Sequence, residues 1–393
     1  MSICISLVLL GCGERLRAQA PGDTARPKQK DLIDLFYQVT HWKSKFENRD
    51  LRKINFSLVP VPSGLVGGDE FVVSSINGAF YLGSPDNTNL STVYFIPYTN
   101  FVSRIGFIIT PNVWLSGNQW DLTGDFRIIG NNLNTYGIGS SSTTLHEEQI
   151  DHGYIRAYAS ANRRIRGSLY AGLGYDVDDY YNVTEHWAHA FPSDFQLYGI
   201  GTGKRTTSSG VTFDLLFDNR KNSINPSRGT YSTLVFRFNP EGLGSTNAWT
   251  SLYFDNRHYF SFSSTHHEIL GLRAFYWGSY GAVPYLNLPG TALEPGARSG
   301  RGYSLARYIG KQMLYGEAEY RFDLSPDGFW GGVCFANLES LAERTTNRFA
   351  YLLPAAGTGL RLKFNKKSGS NVTLDVAAGK NSFNWYISLG EFF

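Results

Sequence analysis

Between Met313 and Leu324 the chain alternates with period two, the signature of an extended strand. Leu314, Gly316, Ala318, Tyr320, Phe322 and Leu324 occupy one phase, and Glu317, Glu319, Arg321 and Asp323 the other. The pattern recurs along most of the sequence. Arg104 to Leu115 places Ile105, Phe107, Ile109, Val113 and Leu115 in one phase, and Phe213, Leu215 and Phe217 alternate with Thr212, Asp214 and Asp218. A soluble sandwich also alternates, with its apolar phase turned inward. Strands of about ten residues, girdled by aromatics and charged on the opposite face, fit a barrel that is apolar outside and polar inside.

Composition removes the competing classes. Charged residues make up 18% of the 393, against about 25% in soluble domains, while aromatics reach 15% and there are 42 glycines. Mean hydropathy is −0.24, and past the N-terminus no run of about 18 apolar residues offers a membrane helix. The wealth of aromatic and β-branched residues excludes a disordered chain. A net charge of +3 gives no basis for nucleic-acid binding.

Sixteen alternating segments can be counted, at approximately 53–60, 71–82, 92–100, 104–116, 120–131, 154–165, 167–180, 208–219, 229–239, 249–262, 267–281, 312–323, 329–340, 356–366, 370–379 and 384–393. The expected fold is therefore all-β, a sixteen-stranded antiparallel transmembrane barrel spanning 53–393. The long connections, 132–153, 181–207, 282–311 and 341–355, all follow odd-numbered strands. Those after even-numbered strands are mostly short, which matches the extracellular loops and periplasmic turns of outer-membrane barrels. Pro97 and Pro111 fall inside expected strands and lack a donor for the ladder, so bulges or register shifts are expected there.

The N-terminus differs in kind. Ile3 to Leu10 form a short apolar core, and Ala18-Gln19-Ala20 supplies a small-x-small site, so residues 1–20 read as a secretory signal peptide. The alternative is a lipoprotein box at Leu9-Leu10-Gly11-Cys12, with Cys12 lipidated. Of the three cysteines only Cys334 lies in the body, which excludes a disulfide framework. Residues 21–52 form a short periplasmic or plug segment, in which Leu32, Leu35, Phe36 and Val39 share a helical stripe. At the other end Trp385, Ile387, Leu389 and Phe393 share a phase interrupted by Glu391, resembling the C-terminal sorting signal of outer-membrane barrels.

The connection after strand eleven carries Arg298-Ser299-Gly300-Arg301-Gly302-Tyr303, and the next strand carries Glu317, Glu319 and Arg321. Together they resemble the BamA/TamA superfamily of outer-membrane assembly factors, the bacterial surface antigen barrels. In that family the loop after strand eleven folds into the lumen with an Arg-Gly-Tyr or Arg-Gly-Phe tip. A second likeness is the acidic-basic turn Asp218-Asn219-Arg220 with Pro226 and Gly229. The resemblance covers 53–393. Independently of it, an arginine deep in a polar lumen requires an anionic partner to offset its desolvation. Glu319 stands in the inward phase of the adjacent strand, and a guanidinium pairs with a carboxylate through two parallel bonds. Gly302 permits a tight turn, and Tyr303 packs while offering a hydroxyl.

Three departures stand out. Gly300 replaces the small apolar residue usual before the arginine. Asn337, after Phe335-Ala336, replaces an aspartate on strand thirteen and offers an acceptor without charge, which leaves the lock resting on Glu319 alone, with Glu317 and Asn337 as further candidate partners of Arg301. Residues 21–52 leave no room for the POTRA array.

Chemistry of other kinds is not expected. His146, Glu147, Glu148, Asp151 and His152, and likewise His186 and His189, lie in long loops, and His266-His267 in a turn, with no serine nucleophile at motif spacing. No cofactor and no enzyme activity is expected. The resemblance implies insertion or export of outer-membrane or surface proteins through a weak seam between the first and last strands. Its implied partners are the outer-membrane bilayer, protein clients, and periplasmic or lipoprotein components. A passive or substrate-selective pore, or a structural barrel partnered by a lipoprotein, remains the alternative.

Overall fold

The computed structural model describes residues 29–40, 55–59, 75–99, 105–220, 222–263, 268–295, 298–366 and 369–393. The signal peptide, Cys4, Cys12, Pro60, His266 and His267 lie outside them. Among the described residues one helix, α1 (Leu32–Thr40), precedes the sheet.

The first eight strands are β1 (Asn55–Val59), β2 (Ser75–Phe80), β3 (Ser91–Thr99), β4 (Ile105–Trp114), β5 (Trp120–Thr135), β6 (Glu148–Arg166), β7 (Leu169–His186) and β8 (Arg205–Asp218). The second eight are β9 (Gly229–Asn239), β10 (Trp249–Ser261), β11 (Ile269–Gly281), β12 (Gln312–Asp323), β13 (Trp330–Leu341), β14 (Leu353–Asn365), β15 (Ser370–Gly379) and β16 (Ser382–Leu389). They form one sheet in the order β1 to β16, every neighbour antiparallel, as the alternation predicts. A short helix, α2 (Asp194–Tyr198), lies between β7 and β8.

Polarity is inverted relative to a soluble protein. On β12, Leu314 is 43% exposed while Glu319 is fully buried. Phe213, Leu215, Phe383 and Trp385 are likewise exposed. Lipid is the solvent for that face, so apolar side chains gain nothing by turning in, and the charged phase faces the lumen.

The connection 282–311 fills one side of the lumen. Val283, Tyr285, Leu286, Leu288 and Ile309 of this inner loop pack with Ile129, Ile150, Tyr154 and Tyr180 of β5–β7 and with Ile96 of β3. Tyr180 Oη donates to the Leu286 carbonyl at 2.9 Å, and Tyr285 Oη to Glu148 Oε1 at 3.1 Å. The other side, walled largely by β4 to β11, encloses a cavity of ≈ 1010 Å³. A chain of ion pairs crosses its wall. Arg127 and Arg156 meet Asp125 at 2.6 and 3.0 Å, and Arg156 and Arg237 meet Asp178 at 3.5 and 2.7 Å.

Several boundaries differ from the sequence reading. β5 and β6 continue to Thr135 and Glu148, so their loop contracts to 136–147. The added residues, among them Asn131, Asn132 and Asn134, are polar in both phases and carry no alternation. Neither proline brings a register shift. Pro97 pairs with Phe107 of β4 in a ladder that runs without a break from Thr92 to Thr99. At Thr110 and Pro111 the β4–β5 ladder skips two pairs and resumes in the same register at Asn112. The shifts fall instead between Asp151 and Gly153, Arg164 and Arg166, and Lys363 and Asn365.

The odd-numbered connections interlock over one end. Ser140 Oγ donates to the Leu341 carbonyl at 3.1 Å, and Arg344 pairs with Asp194 at 2.8 Å. At the opposite end α1 docks on the β14–β15 turn. Asp31 caps it by accepting from the Asp34 amide at 2.7 Å and accepts from the Lys366 amide at 2.9 Å, while Lys366 Nζ meets Asp34 at 2.6 Å. With the odd loops outside, an epitope inserted in 187–193 is labelled on intact cells. One in 324–329 is labelled only after permeabilisation, and the reverse pattern would invert the topology.

Candidate lumen-loop site

Residues 298–303 carry the tip of the inner loop to the inward faces of β12, β13, β15 and β16. Two glycines shape it. Gly302 adopts φ +108°, and a Cβ there would lie 2.8 Å from Ala355 Cβ and 3.2 Å from the Gly379 nitrogen. Gly300 adopts φ +68°, and its Cβ would collide with the Thr291 side chain. Its departure from the small apolar residue of the resembling family therefore has a local cause, a left-handed backbone pressed against the loop's own neighbour.

Arg301 is fully buried. Its Nε donates to Glu317 Oε1 at 2.8 Å, Nη2 reaches both Glu317 and Glu319, and Nη1 donates to Asp375 Oδ2 at 2.9 Å. The guanidinium lies between two rings, its carbon 3.4 Å from the Phe335 centroid and 4.4 Å from that of Phe392. Gly302 N donates to Tyr386 Oη at 2.8 Å. Tyr303, also fully buried, donates to the Pro354 carbonyl at 2.7 Å.

This corrects the expectation that Glu319 alone holds the arginine. Asn337 acts as a donor, its Nδ2 meeting the Arg301 carbonyl at 2.8 Å. The charge absent from β13 comes from Asp375, two strands further on. Asp375, Tyr386 and Phe392 were not found from the sequence. Asp375 shares the inward phase of Asn371 and Thr373, and that is the one signal that marks it.

A second layer neutralises the first. Arg321 Nε donates to Glu319 at 2.7 Å, and Arg361 joins Asp375 to Glu391, the latter at 2.7 Å. Arg321 also reaches the Pro226 carbonyl at 3.4 Å, which ties the 219–228 turn to the network. In that turn Arg220 pairs with Asp218 at 2.7 Å and stacks on Tyr231 at 4.5 Å, and Gly229 takes φ +109°.

The end of the chain also departs from the expected strand phase. β16 stops at Leu389, Gly390 adopts φ +94°, and Glu391, Phe392 and Phe393 turn into the lumen. Trp385 is exposed whereas Phe393 is buried, its carbonyl accepting from Arg321 Nη2 at 2.6 Å. Glu391, which interrupts the apolar phase, is the residue that the inner arginines draw inward.

The histidine groups are local contacts. His186 Nε2 lies 2.8 Å from Asp151, and His189 stacks on Phe191 and packs at a tilt against Trp187. Among the described residues no three His, Cys, Asp or Glu side chains are placed to hold a metal.

Comparison with family models matches residues 74–393 to the Omp85 superfamily domain. The chain belongs to the Omp85 superfamily. This places it among outer-membrane β-barrels tied to protein insertion or translocation. Among solved structures it is similar to BamA from Haemophilus ducreyi lacking POTRA domains 1–3, with a TM-score of 0.52 and 12% identity over 87% of this chain and 70% of that one. It is also similar to CdiB from Acinetobacter baumannii, with a TM-score of 0.51 and 12% identity over 86% of this chain and 59% of that one. No curated protein matches.

Removing one partner of a fully buried pair leaves an uncompensated charge, typically at ~3–5 kcal/mol. Arg301→Ala and Asp375→Ala should each lower the unfolding free energy by about that amount and raise protease cleavage within 282–311. Measured in a double-mutant cycle by denaturant titration, the two should couple by at least ~1 kcal/mol. Additive effects would remove Asp375 from the lock.

Proposed function

We propose that this barrel takes part in inserting or translocating outer-membrane or surface proteins, acting by binding and guiding polypeptide rather than by bond-making chemistry. Family membership supports the reading, and one observation carries it. The Arg301 lock fastens the inner loop simultaneously to β12, β15 and, through Tyr386 and Phe392, to the last strand and its tail. A loop that served only to narrow a pore needs anchoring to its nearest wall. This one extends to the strand whose edge a client would have to use.

The pore reading is disfavoured by the interlocked odd loops, which tie Ser140 to Leu341 and Asp194 to Arg344 across one mouth of the barrel.

In proteoliposomes, the full chain should accelerate folding of a urea-denatured outer-membrane barrel client at least several-fold over empty vesicles, scored by heat-modifiable migration. Arg301→Ala should lose most of that gain while itself remaining folded. A wild-type rate equal to that of empty vesicles, accompanied by steady ion conductance, would replace this function with that of a pore.

A further inference from the structure

The cavity wall opposite the inner loop is chemically lopsided. Above, towards the odd loops, its arginines and aspartates are paired. Below, towards the even turns, Asp121 of β5 and Asp214 of β8 are each more than nine-tenths buried, line the cavity and make no ion pair among the described residues, and Asp176 of β7, level with Asp125 across Tyr158, makes none either. The nearest guanidiniums are engaged elsewhere. Arg220 pairs with Asp218, and Arg237 pairs with Asp178 while touching only the main-chain oxygen of Asp176.

The register sets these groups in a row. Asp121 faces Asn162, Asn162 faces Gly172, and Gly172 faces Asp214. Gly172 and Gly174 leave the inward face of β7 without side chains, and Asn162, Ser160 and Thr212 lean over the two gaps from either side. The result is a trough in the cavity wall edged by the oxygens of Ser160, Asn162, Thr212 and Asp214. Both carboxylate oxygens of Asp121, Oδ1 of Asn162 and Oδ1 of Asp214 have no hydrogen-bond partner. Buried acceptors are normally satisfied, and a bare buried carboxylate is among the costliest exceptions. Four carboxylate and amide oxygens of the row therefore lack a donor, and the Thr212 hydroxyl beside them also has no partner.

We infer that this trough, formed by Asp121, Asn162 and Asp214 with the hydroxyls of Ser160 and Thr212, binds an elongated organic cation bearing two or more amino or guanidino groups. Spacing selects that class over a metal ion. β5 and β8 are three strand steps apart, about 14 Å between backbones, too far for one ion to touch both carboxylates. An extended molecule with charges at both ends spans it. Two sources carry this chemistry, a free polyamine or the basic side chains of a polypeptide in the lumen. The second rests on the function proposed above and the first does not.

The test uses the full chain in detergent, with spermidine as probe and equilibrium dialysis as readout. Saturable binding is expected, weakened at least tenfold by Asp121→Asn with Asp214→Asn, and not displaced by Mg²⁺ at equal charge. Asp214→Asn alone, expected to weaken binding several-fold, covers a double variant that fails to show the heat-modifiable shift of a folded barrel. No saturable binding, binding unchanged in the folded variants, or equal displacement by Mg²⁺ would each overturn the site. The first of these is what protonated, neutral aspartates would give. A lysine-ended extended peptide competing with spermidine, where its serine-ended counterpart does not, identifies the polypeptide source. Spermidine binding without peptide competition identifies the free polyamine. Neither readout depends on client folding, so failure of the insertion assay leaves this result standing, and the converse holds.

Discussion

A guanidinium shut away from water inside a barrel has to be neutralised on the spot, and most of the architecture around Arg301 follows from that. Three carboxylates from two strands converge on it. Those carboxylates in turn need Arg321 and Arg361, and these draw in Glu391. Each added charge is admitted only because the previous one would otherwise be left uncompensated. The outcome is a network that ties the loop tip, the five strands β12 to β16, the 219–228 turn and the last three residues into one cooperative unit.

The lumen is consequently divided. The side under β12 to β16 is dense and cross-linked by charge, and the side under β4 to β11 holds the large cavity. Aromatic rings reinforce the division. Phe335 and Phe392 sandwich Arg301, where a desolvated cation gains about 2 kcal/mol or more from ring faces. In the hollow half Tyr154 and Tyr158 flank Arg156 beside open space.

Much of this was legible beforehand because lipid imposes a sharp rule. Any strand facing it must alternate, and so β12, with Leu314 out and Glu319 in, announces both its boundaries and its orientation. The rule loses its grip where strands leave the membrane. β5 beyond Asn131 keeps its ladder through backbone bonds and the inner loop, and neither shows in hydropathy. The tip was readable as Arg301-Gly302-Tyr303, and Glu317 and Glu319 lay on the neighbouring strand. Asp375 was not readable as a partner, because it lies 74 residues from Arg301 and only the inner loop's passage across β12 to β15 brings them together. Phe393 was misread for a related reason. Its apolar side chain fits the outward phase, but a single left-handed residue at Gly390 redirects everything after it.

The capping of α1 sets the order in which parts of this protein acquire structure. A nine-residue helix is below the length at which helices persist alone in water. Asp31, which starts it, also holds the amide of Lys366, 335 residues later in sequence. Closing a contact of such separation costs chain entropy that the helix alone does not repay, and it becomes favourable once the β14–β15 turn offers a fixed amide. The helix therefore settles after that turn, and its helicity reports that the turn beneath it is in place.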